Sequence, residues 1–314
     1  MTRLGIITNP TSGRNRPMLE RVRAWTTASG ALAREVADLE SIRTAAAVMR
    51  EAQVDVLAVN GGDGTAQAVL TELWKTPGPR PQLALLPGGT TNMSAYDLNR
   101  CRDLDDALAR LSEQSARPPA ERRRVSRALV RVDVAGEPVQ YGLFLAAGVI
   151  LRGMRHFREF VGARGLRGEL AGGISVLRGL AGVARGSGGW ADTPGSTVTL
   201  AGGAGIWPDQ ILVVATTLRR LLLGFTPWWG DDDGPLRVTG LSRRPRSLLR
   251  LTPALLRGRA HARLTPANGY RSAAVSGLDL TGGGGFALDG EVFPLAHESA
   301  ASVSVTEPVE FLSL

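Results

Sequence analysis

VDVLAVNGGDGTAQAVLTELW, residues 54–74, decides the fold. Val54 to Val59 is a continuous, largely apolar run of strand length, the pattern of a strand buried on both faces. Asn60-Gly61-Gly62-Asp63-Gly64-Thr65 stops it with small and turn-forming residues. Gln67 to Trp74 then reads as a helix. The same unit appears on either side. Leu4 to Thr8 is a strand ending in Asn9-Pro10-Thr11-Ser12-Gly13, followed by a helix over Pro17–Ser29 with Met18, Leu19, Val22 and Trp25 at helical spacing. Ser41–Ala52 repeats the helical character. Leu83 to Leu86 is a third strand, ending in Pro87-Gly88-Gly89-Thr90-Thr91-Asn92. Apolar strands alternating with helices predict an α/β layer with a parallel sheet, whose ligands bind at the carboxyl ends of the strands.

Farther along, SEQSARPPAERRR is polar, basic and broken by two prolines, so a domain boundary is expected there, dividing the chain into 1–118 and 119–314. Beyond it, alternating segments at 128–134, 141–146, 196–200, 211–216, 236–240, 275–280 and 303–305 predict a mainly antiparallel β domain with helical insertions. The extreme C-terminus is allowed to pack back on the first domain. At 314 residues and 43% hydrophobic, the chain has enough apolar material for such cores. One cysteine, Cys101, excludes a disulfide scaffold and any multi-cysteine metal centre. His156, His261 and His297 are too dispersed for a histidine-built one. Residues 1–117 carry 14 basic and 13 acidic side chains, but 118–314 carry 23 and 16, and 235–278 holds nine arginines and no acid. The second half thus expects an anionic partner. Neither a signal peptide nor an 18-residue apolar span is visible, so the expectation is a cytoplasmic protein.

The three strand-end bends offer chemistry. Glycine lets backbone N–H groups approach an anion, consecutive N–H groups form a concave nest, and a following helix N-terminus adds partial positive charge. Thr65 and Thr90 are candidate hydroxyl donors to phosphate, and Asp63 is a candidate Mg²⁺ ligand, directly or through water. No GxxxxGK[ST] loop occurs. GGDGT alone is equally a tight strand-to-helix turn capped by Asp63 or Thr65; three such bends ending three strands point to phosphate.

Together, NPTSG at 9–13, GGDGT at 61–65 and PGGTTN at 87–92 resemble the signatures of the diacylglycerol kinase catalytic domain, a superfamily that reaches NAD kinases more distantly. Phe144–Gly148, Asp233-Gly234-Pro235-Leu236 and Leu288-Asp289-Gly290-Glu291 are similar to later lipid-kinase motifs. The resemblance implies a kinase that moves the γ-phosphoryl group of ATP to a lipid hydroxyl, diacylglycerol or a related alcohol. It implies ATP phosphates on Gly61, Gly62, Asp63, Gly64 and Thr65. Asn9, Pro10, Thr11, Ser12, Gly13 and Gly88, Gly89, Thr90, Asn92 would complete the nucleotide site. Asp289 or Glu291 would receive the hydroxyl proton, and Asp233 would hold a structural Mg²⁺ with carbonyls near Gly230 and Pro235. Two positions depart from the pattern: Met93-Ser94 follow Asn92 where many relatives have Asp-Phe, with Asp97 nearby, and Ala37 falls near a nucleotide-contacting Thr. The alternatives are a kinase of a soluble metabolite or nucleotide, and a non-catalytic lipid- or nucleic-acid-binding protein on the same scaffold.

Membrane contact is the remaining expectation, with a lipid substrate at an anionic surface as the partner. No nucleic-acid motif is visible, and homodimerisation is left open. Leu151, Met154, Phe157, Phe160 and Val161 interleave with Arg152, Arg155, Arg158, Arg164 and Arg167, a basic amphipathic segment suited to anionic lipid or, equally, to a helix packed on its own core. Leu241 to Arg263 is as basic but broken by Pro245 and Pro253. Trp228-Trp229 reads as core.

Overall fold

The computed structural model describes residues 2–13, 15–101, 103–156, 179–185, 193–230 and 233–314. The chain divides into two compact units, one formed by Met1–Arg127 with Pro308–Leu314, the other by Ala128–Glu307.

In the first unit, β1 (Leu4–Thr8), β2 (Leu32–Glu35), β3 (Val56–Gly61) and β4 (Gln82–Pro87) run parallel in the order β2-β1-β3-β4. The C-terminal strand Val309–Leu312 pairs parallel with β4 at Phe311–Leu83 and antiparallel with β5 (Arg124–Arg127), which closes the edge. Residues 119–127, expected at the start of the second domain, thus belong to the first unit, because β5 pairs with a strand some 180 residues away. Every residue of β3 is buried, as its unbroken apolar run predicts. β2, LARE, is a half-exposed edge strand whose charges hide it from a pattern search.

The helices follow their side-chain periods. α1 (Leu19–Ser29) ends at Gly30, whose φ of 65° is the left-handed cap that glycine adopts without strain. α2 (Leu39–Glu51) starts with a capping box between Asp38 and Ser41. α3 (Asp63–Lys75) and α4 (Met93–Leu98) follow β3 and β4. In α5 (Leu104–Ala116), capped by Asp103, the buried Leu104, Ala107, Leu108 and Leu111 form one stripe. That stripe packs with Ile6, Val56, Ala84 and Leu86 of the sheet and with Leu312 and Leu314.

The second unit is an extended, mainly antiparallel sheet. Its strands are β6 (Val130–Val134), β7 (Gln140–Gly142), β8 (Phe144–Gly148), β9 (Ser196–Leu200), β10 (Gly205–Thr216) and β11 (Leu236–Ser242). They continue as β12 (Tyr270–Val275), β13 (Gly277–Gly282), β14 (Gly285–Leu288), β15 (Glu291–Pro294) and β16 (Ala300–Val305). The order is β15-β14-β8-β10-β9-β13-β16-β6-β7, with β11 pairing β10 and β12. Alternate residues such as Val130 and Val132, Val213 and Ala215, Leu278 and Leu280 enter one core with Phe286 and Trp207. α6 (Val149–His156) and α7 (Leu248–Leu256) are the helical insertions. Val149, Leu251 and Leu255 share a second cluster with Tyr270. This is the expected fold class, an α/β unit followed by a mainly antiparallel β unit.

Some expectations shift. Leu145, Ala146 and Ala147, within the Phe144–Gly148 motif, are buried in the sheet. Trp228 and Trp229 are half-buried, with the Arg237 guanidinium 5.2 Å from the Trp228 ring. Most of the basic amphipathic segment 151–167 lies outside the described residues. No helix among the described residues is long and apolar enough to cross a membrane.

Candidate active site

Because β1, β3 and β4 are parallel neighbours, their three bends emerge at one edge of the sheet. There they are bonded to one another. Asn9 Nδ2 donates to Thr65 Oγ1 at 3.0 Å, joining the first bend to the second. Gly62 N donates to Ser12 Oγ at 3.1 Å, a second tie between the same two. Asp63 accepts from Met93 N at 3.1 Å and Ser94 N at 2.9 Å, which ties the second bend to the start of α4 beyond the third. Asn15 completes the set: its Nδ2 donates to Asn9 O at 2.8 Å and Asn60 O at 3.0 Å.

Each bend also fixes itself. Asn9 Oδ1 accepts from Thr11 N and Thr11 Oγ1, an Asx turn that holds NPTSG in shape. Asn92, at φ 54°, folds its side chain back, accepting from Gly89 N at 2.6 Å and donating to Gly89 O at 2.8 Å. Asparagine tolerates that left-handed backbone better than other non-glycine residues do.

The glycines are demanded by contact. A Cβ on Gly89 would fall on Gly62 Cα, and one on Gly88 would meet Asn60 Oδ1 and Asn15 Oδ1. A side chain at Gly13 would strike Thr90 Oγ1. Asn15 and Asn60 form a fully buried floor under these glycines, and Asn60 Oδ1 and Nδ2 have no partner among the described residues. Motif reading passed over both asparagines as floor residues. Their only sequence signal is a small amide side chain beside each of two glycine bends.

Asp63 stands at the first turn of α3, where Gly62 is the N-cap and brings no side-chain acceptor. The start of α3 thus has no side-chain N-cap, and the Asp63 carboxyl in its first turn is turned to the amides of Met93 and Ser94, leaving first-turn N–H groups of the kind that receive anions. Burial pushes the Asp63 carboxyl above its ordinary range, and the amides of Ser94 and Met93 oppose that rise. Thr65 Oγ1 already accepts from Asn9, so its own proton remains to donate.

The later motif residues lie in the second unit. Asp289 is buried, at φ 47°, in the turn between β14 and β15. Its Oδ2 accepts from Leu143 N at 2.8 Å and its Oδ1 from Phe144 N at 2.9 Å, while its own N–H donates to Phe144 O at 2.8 Å. Glu291, two residues on, is exposed at the start of β15. In the Asp233-Gly234 turn, Gly234 is required because a Cβ would strike the backbone of Ala274 and Val275. Gly230, Asp233 and Pro235 are exposed, and Asp231 and Asp232 lie outside the described residues. Among the described residues, no group of three His, Cys, Asp or Glu side chains is placed to hold a metal. Ala37 donates its amide to Ser41 Oγ, beside the α2 cap.

Residues 3–120 match the family model of the diacylglycerol kinase catalytic domain, the family that the three bend motifs resemble. A diacylglycerol kinase from Bacillus anthracis str. Sterne superposes with TM-score 0.62 at 14% identity, over 99% of this chain and 96% of that one. A second structure from the same organism, described as a candidate diacylglycerol kinase, gives TM-score 0.65 at 14% identity, over 97% and 94%. These likenesses extend the shared fold over nearly the whole chain. An NAD kinase from Archaeoglobus fulgidus in complex with ATP reaches only TM-score 0.42 at 9% identity. No curated protein matches the sequence.

Proposed function

We propose that this protein is an ATP-dependent lipid kinase that transfers the γ-phosphoryl group to a lipid hydroxyl, of diacylglycerol or a related lipid alcohol. The observation that carries this reading is the mutual bonding of the three bends around the uncapped start of α3. The diacylglycerol kinase family match of that segment and the later lipid-kinase-like motifs support the choice of acceptor.

Phosphoryl transfer asks a protein mainly for positioning and for stabilisation of charge on the transferred group. Here backbone amides of Gly64, Thr65 and residues 90–92, with the hydroxyls of Thr65 and Thr90, would hold the phosphate chain, while the amides of Gly62, Gly88 and Gly89 brace the bends themselves. The dipole of α3 would add to their effect. The rigidity is built in, because each bend braces the next before any ligand arrives.

Mg²⁺, when bound, supplies neutralisation of phosphate charge. Both Asp63 oxygens already accept amide protons, so Asp63 fits a metal through water better than by direct contact. Asp233, with carbonyls of Gly230 and Pro235, would supply hard oxygen ligands to a structural ion, as the resemblance implies.

The acceptor hydroxyl must lose a proton late in transfer, since it is a very weak acid. Asp289 is occupied holding two backbone amides, so we assign that proton to Glu291 and give Asp289 the task of fixing the turn that presents it.

The test is radiolabelled ATP with a panel of lipid alcohols in mixed micelles. Transfer of label to at least one lipid by wild type, and its loss in Glu291→Gln, is expected. Should wild type label no lipid above that variant, the lipid-kinase reading fails.

A further inference from the structure

We propose that the outward face of α7, with the loop bonded to its C-terminal end, is a docking surface for an anionic lipid bilayer. The inference deepens the lipid-kinase reading, and rests on it for why a bilayer is met, by naming the surface on which the enzyme would sit.

α7 divides cleanly. Leu248, Leu251, Thr252 and Leu255 are buried, the leucines within the cluster around Tyr270. On the opposite arc, Leu249 is 52% exposed and Arg250 and Arg257 are exposed, and Arg246, also exposed, lies in the segment just before the helix. At about 100° per residue, positions 249, 250, 253 and 257 fall within about one quarter to one third of the helix circumference. The outward arc thus mixes arginines with an exposed leucine and a proline, a basic and partly apolar face.

The adjoining loop repeats the pattern by a different device. Leu221 N donates to Phe225 O at 2.7 Å and Gly224 N to Leu221 O at 2.9 Å, closing a tight turn with Leu223 at its tip. Leu223 is 39% exposed and sits at φ 55°. A bulky residue in left-handed backbone is strained. Leu223 adopts it while leaving more than a third of its surface exposed. Thr226 N donates to Leu256 O at 2.8 Å, joining this loop to the end of α7.

Charge selects the partner. Residues 235–278 hold nine arginines and no acid; the flanking acids in sequence are the Asp231–Asp233 run and Asp279. Arg246, Arg250, Arg257 and Arg259 form no ion pair among the described residues. Arginines alone would suit any polyanion. Leu223 and Leu249 decide for lipid, because exposed leucines gain free energy only where hydrocarbon is available. A nucleic acid would call for stacking rings, and the outward arc of α7 carries none.

The experiment is co-sedimentation of the full chain, without nucleotide, with phosphatidylcholine vesicles containing or lacking phosphatidylglycerol. Wild type is expected to bind only the phosphatidylglycerol vesicles and to be released by salt. Each arginine near an anionic surface contributes about a fivefold gain in affinity, so Arg250→Gln with Arg257→Gln is expected to weaken binding about 25-fold. Leu223→Gly, which relieves the strained backbone and keeps or raises the melting temperature, is expected to weaken it severalfold. Equal binding to both vesicles, undiminished binding by the folded variants, or displacement by RNA at matched phosphate concentration would overturn the proposal. Turnover of a detergent-dispersed lipid alcohol separates the two readings. If wild type binds anionic vesicles through these residues yet phosphorylates no lipid, the docking surface stands and the substrate assignment falls. If it phosphorylates lipid in detergent while the variants bind vesicles as wild type does, the reverse holds.

Discussion

Asp289 and Glu291 are separated by one glycine, yet their surroundings give them different tasks. Replacing Asp289 with Ala strips the acceptors from two inward-facing amides, Leu143 and Phe144. Each such loss costs about 1–3 kcal/mol, so Asp289→Ala should lower stability by about 2–5 kcal/mol in a urea titration. Glu291→Gln should leave stability within about 0.5 kcal/mol of wild type and lower kcat by about a hundredfold or more. Equal destabilisation by the two substitutions would contradict that division. Gly89→Ala puts a methyl against Gly62 Cα, a backbone atom that cannot step aside. Overpacking of this kind costs about 1–3 kcal/mol, and nucleotide affinity should fall with it; a variant with unchanged melting and binding would show that the bends do not touch. Cys101 is buried, and desolvation pushes its thiol up to about 11 from 9.0. The folded chain keeps a proton that the unfolded chain releases, so stability should decline as pH rises from about 9 toward 11 and be insensitive to this group below that window. A thiol reagent at pH 8 should react slowly with native protein and quickly after denaturation; fast native labelling would place Cys101 at the surface.

At the scale of elements, α4 is the piece on which the third bend depends. Its first amides rest on Asp63, and farther along Asp97 meets Arg127 of β5 at 3.0 Å, with both side chains almost wholly buried. One short helix thus connects the GGDGT bend to the strand at the end of the unit's N-terminal segment. Removing one partner of a buried ion pair leaves an uncompensated charge, so Arg127→Met should cost about 3–5 kcal/mol. Nucleotide binding should weaken too, and a change under about 1 kcal/mol by chemical denaturation would argue against the coupling. Neither partner announced itself in the sequence. Asp97 drew notice only as an acid near a departure from the family pattern, and Arg127 lay in a basic run that reads as a domain boundary. β3 was legible because burial on both faces demands an unbroken apolar run. β2 was not, because an edge strand is free to carry Arg34 and Glu35.

For the whole molecule, the order of elements and the two-part plan were readable from alternation alone: helices between apolar strands first, then strands with every second residue inward. What escaped was pairing at a distance. Polar, proline-bearing residues 112–127 look like a boundary, yet 124–127 form a strand because Val309–Leu312 returns to meet them. The three bends were legible one by one; the buried asparagine floor that fits them together depends on tertiary placement. The most direct measurement of that convergence is hydrogen exchange with and without Mg²⁺ and ATP, followed by peptide mass spectrometry. Slowed exchange in residues 9–13, 61–65 and 88–92 together is the expected result. Slowing elsewhere while all three segments exchange as in the free protein would contradict a triphosphate site formed by the bends.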